Sequence, residues 1–521
     1  MFKLFQRVSA APTNPKPAAV LPQFDVAALY QGPADAAPAA EVSAALDEKL
    51  RQAYFWIVNT AIISPHYDIE YNDGPGTEFA LGDRKSALKL PSAQSYSSFV
   101  LLPLLTFAAQ RKCLFIGGPG RGKTASALLM GVLAGYPVRE VKRGMQRGHP
   151  QMTTADLLGS PLPADLVSAQ RIDAVRIAWR SWLSMRVKIV DEYNRIPTRT
   201  QSALLTLMGD NYAELFDQVY ECPPAAWYLT ANDDQGGGTY QVIEALRDRI
   251  DVIVQALPFN PRFLGELLTR IEEDARPEDF VPPEIIFSEA EIKALGQRIR
   301  AMPLPEPVRR RIEYFASQFE FNDLAGEQFE YKSKDTARLA GTDWAWLSAQ
   351  DDGRDRLKDL GCQTVNGLSV RNLMTLLVYA KAMAFFRGST EVELEDVRQT
   401  LPFVLHDKLK ADLDAPYFQS PANAAQKSDR IGWLRSLFDQ SCFDYDRLDL
   451  DRRDPVRDLA AELAAGLDGV TAAEARKRLA TIERQIQAIA KGGKLYGPLH
   501  DDLLLLKSLH QRYGNYLRWL G

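Results

Sequence analysis

Eight consecutive residues, Gly117-Gly118-Pro119-Gly120-Arg121-Gly122-Lys123-Thr124, have the types and spacing to hold nucleotide phosphates. They fit G-x-x-x-x-G-K-[ST], follow the apolar run Cys113-Leu114-Phe115-Ile116, and lead into a helix-compatible run from Ala125 to Met130. Without a Cβ, glycines let successive backbone N–H groups curl around phosphate oxygens. Lys123 is then placed to reach the β- and γ-phosphates and the Thr124 hydroxyl to ligate Mg²⁺. The helix opening at Lys123-Thr124-Ala125 adds its positive end. A strand before and a helix after make a fortuitous glycine turn a poor account, so Gly117 to Ala125 is a predicted nucleotide site.

Two further groups have chemistry to offer it. Val187-Lys188-Ile189-Val190 runs into Asp191-Glu192, and an apolar strand ending in paired carboxylates is costly unless they hold a metal or move a proton. Downstream of a phosphate loop, Asp191 is placed to orient the Mg²⁺ shell and Glu192 to accept a proton from an attacking water. Asn232 closes the run Leu229-Thr230-Ala231, where it can position that water or touch the γ-phosphate; ordinary turn chemistry is the competing account. Arg247 and Arg249 precede the last apolar run. They either decorate a helix end or supply an arginine finger, often from a neighbouring subunit, to charge developing on a transferred phosphoryl group.

The elements that must position these residues read as an α/β domain. Short apolar runs at Cys113–Ile116, Val138–Val141, Val187–Val190, Trp227–Thr230 and Val252–Val254 alternate with helix-compatible stretches, as in a parallel sheet covered on both faces. Such sheets bind ligands at the carboxyl ends of their strands. The chain, at 521 residues, exceeds what one core usually serves. Residues 1–40 are an Ala/Pro-rich tail and 41–96 an N-terminal helical layer. The nucleotide domain takes 97–257 and a helical lid with an insertion 258–410. A polar linker spans 411–427, and a helical extension takes 428–521, where Asp454-Pro455 starts a helix and Gly492-Gly493 turns an antiparallel hairpin.

Composition narrows the function classes. With 46% hydrophobic and 25% charged residues the chain is of soluble globular type, and a net charge of −5 argues against a nucleic-acid backbone as its main partner. Four dispersed cysteines and five histidines form no metal signature and fit a reducing compartment. The first residues lack the pattern of a secretory leader. The longest apolar run, Phe99 to Phe107, is about half the length needed to cross a bilayer and reads as a buried helix. The expected location is cytoplasmic, without membrane insertion.

From about Ser97 to Leu409 the motifs resemble those of the MoxR family of AAA+ ATPases. Asp191-Glu192-Tyr193-Asn194-Arg195, then Thr200-Gln201-Ser202-Ala203-Leu204-Leu205 and Met208, is similar to that family's D-E-x-N-R and T-Q-x-A-L-L run. Asp156-Leu157-Leu158-Gly159, Thr230-Ala231-Asn232, Gly238-Thr239-Tyr240 with Glu244-Ala245 and Asp248-Arg249, and Gly367-Leu368-Ser369-Val370-Arg371 resemble its other signatures in order. The resemblance implies an AAA+ P-loop NTPase core with an α-helical lid, ATP and Mg²⁺ as cofactors, and a homo-oligomeric ring, usually hexameric. It further implies Asn232 as sensor 1, Arg249 as the trans finger with Arg247 as fallback, and Arg371 as a sensor 2 contacting ATP from the lid. Pore-facing loops would fall near residues 144–179 and 211–222. Asp233 stands where the family commonly has proline. The segment 309–366, with Trp344 and Trp346, is longer than a minimal lid requires.

By that resemblance the expected function is a chaperone-like ATPase that remodels, activates or inserts a metal cofactor into a protein client, in some cases one with a von Willebrand factor A domain. A nucleic-acid-acting AAA+ motor is an alternative that the acidic charge disfavours. A nucleotide-gated scaffold with little turnover is another, and Glu192 and Arg249 argue against it.

Overall fold

The apolar runs build a five-stranded sheet, four of its strands where those runs lie. The computed structural model describes residues 45–72, 74–82, 87–168, 175–232, 242–322, 325, 328–341, 359–492 and 495–520. Within it β1 (Lys112–Ile116), β2 (Gln146–Arg147), β3 (Val187–Asp191), β4 (Ala226–Thr230) and β5 (Val252–Gln255) lie in the order β5-β1-β4-β3-β2. Every pairing in this sheet is parallel. Apart from the polar edge pair β2, the strands carry mostly apolar side chains because helices cover both faces. Lys188, the second residue of β3, is a charged exception, 1% exposed. Its ammonium donates to Met185 O at 2.6 Å and lies 5.8 Å from the Trp227 ring, and burial pushes its pKa down to about 8.

The expected second strand at Val138–Val141 is a helix, Val138–Gly144. Val141 and Gly144 are its buried positions, three apart, which is a helical and not an alternating pattern. Val141 fills the space over Gly131, where an added Cβ would come within 2.5 Å of its Cγ1. The true second strand is the polar pair Gln146–Arg147, at the edge of the sheet beside β3.

The helices that matter for the site are α1 (Leu46–Trp56), α2 (Ser98–Ala109), α3 (Lys123–Leu133), α4 (Thr198–Asp210), α5 (Leu264–Glu272), α6 (Val370–Arg387) and α7 (Leu394–Leu405). Helix α2 is apolar all round and buried against the sheet, as the run Phe99 to Phe107 implies. Its Pro103 carbonyl accepts from the Tyr228 hydroxyl at 2.8 Å, and Thr106 meets Tyr379 of α6 at 2.7 Å. The layer expected to be helical over 41–96 is so only to Ala61. Beyond it two antiparallel strand pairs form, Ile69–Tyr71 with Gln94–Tyr96 and Glu78–Ala80 with Ala87–Lys89. A two-stranded hairpin, Tyr212–Leu215 with Gln218–Glu221, occupies the second expected pore-loop region, and Gly159–Pro161 with Ile177–Trp179 part of the first.

The 411–427 segment is not featureless: Pro416–Gln419 and Ala424–Lys427 form short helical turns, and Phe418 is buried. Helix α8 (Arg430–Arg447) then leads to a three-helix bundle of α9 (Pro455–Ala464), α10 (Ala472–Lys491) and α11 (Gly497–Leu520). Asp454 caps α9 by accepting from the Arg457 N–H at 3.0 Å. Helices α10 and α11 are antiparallel, since Arg478 meets Tyr513 and Glu483 meets His510. Leu459, Leu463, Ile482, Leu506 and Leu509 make a core separate from that of the sheet. Trp344, Trp346, Asp233, Gly238-Thr239-Tyr240 and the tail 1–40 lie outside the described residues.

Candidate functional site at the carboxyl ends of the strands

The loop leaving β1 turns into α3 through residues whose backbone only glycine tolerates. Gly117 has φ +135°, and a Cβ there would lie 2.8 Å from Ala256 O at the end of β5; Gly122 has φ +75° immediately before α3. Pro119, Gly120, Arg121, Gly122, Lys123, Thr124 and Ala125 line one side of a cavity of about 340 Å³, and Asp191, Glu192, Thr230 and Asn232 the other. Three strand ends are thereby brought together as the sequence predicts.

The hydrogen bonds inside this cavity define what each group can do. Thr124 donates to Asp191 Oδ1 at 2.9 Å, and Thr230 donates to the same oxygen at 2.5 Å while accepting from the Glu192 N–H at 2.9 Å. The Thr124 hydroxyl and the Asp191 carboxylate are hard oxygen donors side by side, which suits Mg²⁺. Glu192 sits in the left-handed region, φ +53°, an uncommon state for a residue with a side chain and one found where function demands it. Its turn packs so closely on Gly148 that a Cβ there would lie 2.2 Å from Glu192 O. Asn232 Nδ2 donates to Glu192 Oε1 at 3.2 Å, and Arg195 Nε lies 3.3 Å from Glu192 Oε2. Lys123 donates to Asn232 Oδ1 at 2.9 Å, to Gly118 O at 2.8 Å and to Gly117 O. An ammonium, an amide and a carboxylate thus line up around the place where a terminal phosphate and its attacking water can sit.

A second cavity of about 400 Å³ adjoins the first, for Gly120, Arg121, Gly122 and Ala125 line both. Its apolar wall includes Ile62, Ile63, Phe99, Leu129, Leu257, Phe259 and Leu267, a surface suited to a planar base. Arg121 turns away from the phosphate side and donates to Ala256 O at 3.0 Å. Sequence reasoning missed this wall because its parts come from segments nearly 200 residues apart. Thr230 and Arg195 were also missed as site residues, although both fall inside the quoted motifs.

Arg247, Arg249 and Arg371 are elsewhere. They lie at the amino ends of the strands, where Asp251 just before β5 accepts from the Lys112 N–H at 2.9 Å and from Thr375 of α6 at 2.9 Å. Strands of four or five residues separate that end from the loop by roughly 15 Å. Arg371 is ion-paired with Asp248 at 2.7 Å, and Lys408 lies 3.9 Å from the same carboxylate. Burial pushes Lys408 down to about 8 against the pull of Asp248. Arg247 is clamped to Asp407 of the lid at 2.7 Å. Burial would raise the Asp407 carboxyl, but hydrogen bonds from His406 and Arg247 outweigh it and hold the group well below the usual range. Arg249 packs over Gly209 of α4, and its buried Nε has no hydrogen-bond partner among the described residues.

A sheet in the order 5-1-4-3-2, a phosphate loop after β1 and a helical lid call for comparison with known proteins. Residues 362–431 match the family model described as the AAA lid domain. The fold is that of an AAA+ ATPase. The match begins just before α6 and runs through the 411–427 segment to the start of α8. Among solved structures, the chain is similar to a Cytophaga hutchinsonii protein whose ATPase assignment is itself provisional, at 18% identity and a TM-score of 0.44 over 65% of this chain and 89% of that one. It is also similar to a full-length MCM homolog from Methanopyrus kandleri, at 16% identity and a TM-score of 0.35 over 70% and 61%. No curated protein matches the sequence. No described helix is long and apolar enough to cross a membrane.

Proposed function

We propose that this AAA+ protein hydrolyses ATP at sites shared between head-to-tail copies in a ring, and that the cycle remodels a protein client. The observation that carries the proposal is the division of the catalytic groups between the two ends of one sheet. The loop, Thr124, Asp191, Glu192 and Asn232 converge, whereas Arg249 and Arg371 stand roughly 15 Å away and have no path to their own nucleotide. A neighbouring copy presenting its strands' amino ends to the cavity completes the set.

In that arrangement Thr124 and Asp191 would hold Mg²⁺, which would supply positive charge to offset that of the phosphates. Lys123 leaves its loop carbonyls for the phosphates. Glu192 takes the proton of the attacking water, and Asn232, hydrogen-bonded to both Glu192 and Lys123, keeps carboxylate and ammonium in register. Arg249 of the neighbour stabilises the charge that develops on the transferred group, with Arg371 beside it. Arg249 is the better finger because Arg247 is already committed to the Asp407 clamp. The order of motifs supports a MoxR-type role, with a client enzyme activated or loaded with metal and, in some cases, a partner bearing a von Willebrand factor A domain.

The test is ATPase rate against protein concentration for wild type, Glu192→Gln, Arg249→Ala and a mixture of the two. Cooperative concentration dependence, two nearly inactive variants and partial recovery on mixing are expected. A monomer whose rate is independent of concentration and indifferent to Arg249→Ala would overturn the shared site.

A further inference from the structure

Helix α5 is apolar along one face and buries none of it. Leu264, Leu268 and Ile271 are 48%, 49% and 65% exposed, and no residue of the helix is buried. A nine-residue helix is not stable by its own hydrogen bonds, so its conformation depends on contacts. Those it has are few: Leu267 against the base cavity, and Arg270, which donates to Ala61 O at 3.1 Å. With Phe263 in front of it, 37% exposed, the face presents on the order of 400 Å² of apolar surface, taking about 200 Å² for each large side chain. That is within the roughly 300–600 Å² of the largest apolar patch on a typical monomer, a patch that is often functional.

A second such face lies at the other end of the sheet. On the first turn of α6, Val370 and Met374 are 74% and 59% exposed. They stack on one side of Arg371 along the helix, while Thr375 points inward to Asp251. Each apolar face therefore borders one half of the divided site, α5 at the rim of the nucleotide cavity and Val370 with Met374 beside Arg371.

We infer that the two faces cover each other between successive copies of this chain, Leu264, Leu268 and Ile271 of one copy seating on Val370 and Met374 of the next. The inference rests on the shared-site function and adds to it the contact that aligns the copies. Any docking that brings Arg249 and Arg371 to a neighbour's phosphate loop carries Val370 and Met374, on the same turn as Arg371, to the edge of that neighbour's cavity. The contact is heterologous and repeats from copy to copy, as a closed ring requires. Its apolar centre, about 400 Å² on the α5 side and about 270 Å² on the α6 side, supplies between about a third and a half of the ~800 Å² per partner typical of a stable interface, and the polar groups of the shared site make up the surround.

Sedimentation of the full chain with Mg²⁺ and a slowly hydrolysed ATP analogue tests this on wild type, Leu268→Glu, Met374→Glu and an equal mixture of the two, with binding of a fluorescent ATP analogue as the control for folding. Wild type is expected to assemble, and each variant to bind nucleotide yet need about tenfold more protein, or more, to associate. The mixture should stop at dimers, because one copy's intact α5 can still meet the other's intact α6 face. A variant that binds nucleotide and assembles like wild type overturns the contact while leaving the shared site standing. A wild type that binds nucleotide and stays monomeric overturns both. If both variants lose nucleotide binding, Leu268→Ala and Met374→Ala replace them under the same criteria.

Discussion

The two ends of the central sheet are built on opposite plans. At the carboxyl ends, functional groups bind one another across an open cavity: Thr124 and Thr230 on Asp191, Asn232 on Glu192, Lys123 on Asn232. Their hydrogen bonds are the ones a nucleotide and its metal would take over. At the amino ends, carboxylates hold the lid to the core by pairing with cations, Arg371 with Asp248 and Arg247 with Asp407, and by accepting from a hydroxyl, Thr375 on Asp251. Arg249 alone among the three candidate arginines lacks such a carboxylate among the described residues. On the proposed function, one end receives the nucleotide and the other is presented to a neighbouring copy.

Arg249→Ala is the substitution expected to separate the ends most widely. Loss of a finger costs about 10³-fold or more in turnover, while affinity for nucleotide, set at the carboxyl end, should change little. Steady-state ATPase together with equilibrium nucleotide binding measures the two. A parallel fall in both would mean that Arg249 serves its own cavity, and the comparison would collapse.

Glu192→Gln should lower turnover by about 10²- to 10⁴-fold and retain or tighten ATP binding, because the amide keeps the bond from Asn232 but cannot accept the proton. A single-turnover assay isolates the chemical step; an unchanged rate there would remove Glu192 from it.

Thr375→Val probes the brace. It leaves the buried Asp251 oxygen without a donor from α6 at nearly constant volume, a loss of about 2 kcal/mol. Chemical denaturation reads that loss directly. Nucleotide affinity should be spared, and a variant as stable as wild type would show that the Thr375–Asp251 bond contributes nothing to the brace.

The smallest effect concerns Lys408, which burial brings down to about 8. Between that value and its unfolded pKa the unfolded chain binds the extra proton, so wild type should gain stability as the pH rises from 8 toward 10. Lys408→Met has no such proton to lose. The difference in melting temperature between the two proteins at pH 7.5 and at pH 9.5 checks the sign, and a wild type that loses ground to the variant would contradict it.

Legibility in the sequence followed how local each feature is. The phosphate loop, Asp191-Glu192 and four strands were readable because a buried parallel strand is an apolar run ending in the residues it displays. The second strand was not. Gln146–Arg147 is a polar edge pair with one neighbour, and the β-branched run beside it, Val138–Val141, became helix because only positions three apart face the core. The base cavity also lay beyond reach, since Ile62, Phe99 and Leu257 carry no shared local signature. For Asn232 the sequence leaves turn residue and site residue open, because its bonds to Glu192 and Lys123 join segments 40 and 109 residues apart.

Local chemistry along the chain determined where the phosphate-loop motif lies, which carboxylates end the strand beside it and which stretches are strand, because each depends on neighbours a few positions away. Where Arg249 and Arg371 stand relative to the loop is a different kind of fact. It depends on strand direction, on the crossing of β5 beside β1, and on α6 docking through Thr375 onto Asp251, contacts spanning more than a hundred residues. Only the folded chain decides on which end of a sheet roughly 15 Å long a charge appears, and the proposed sharing of the site between copies rests on that placement.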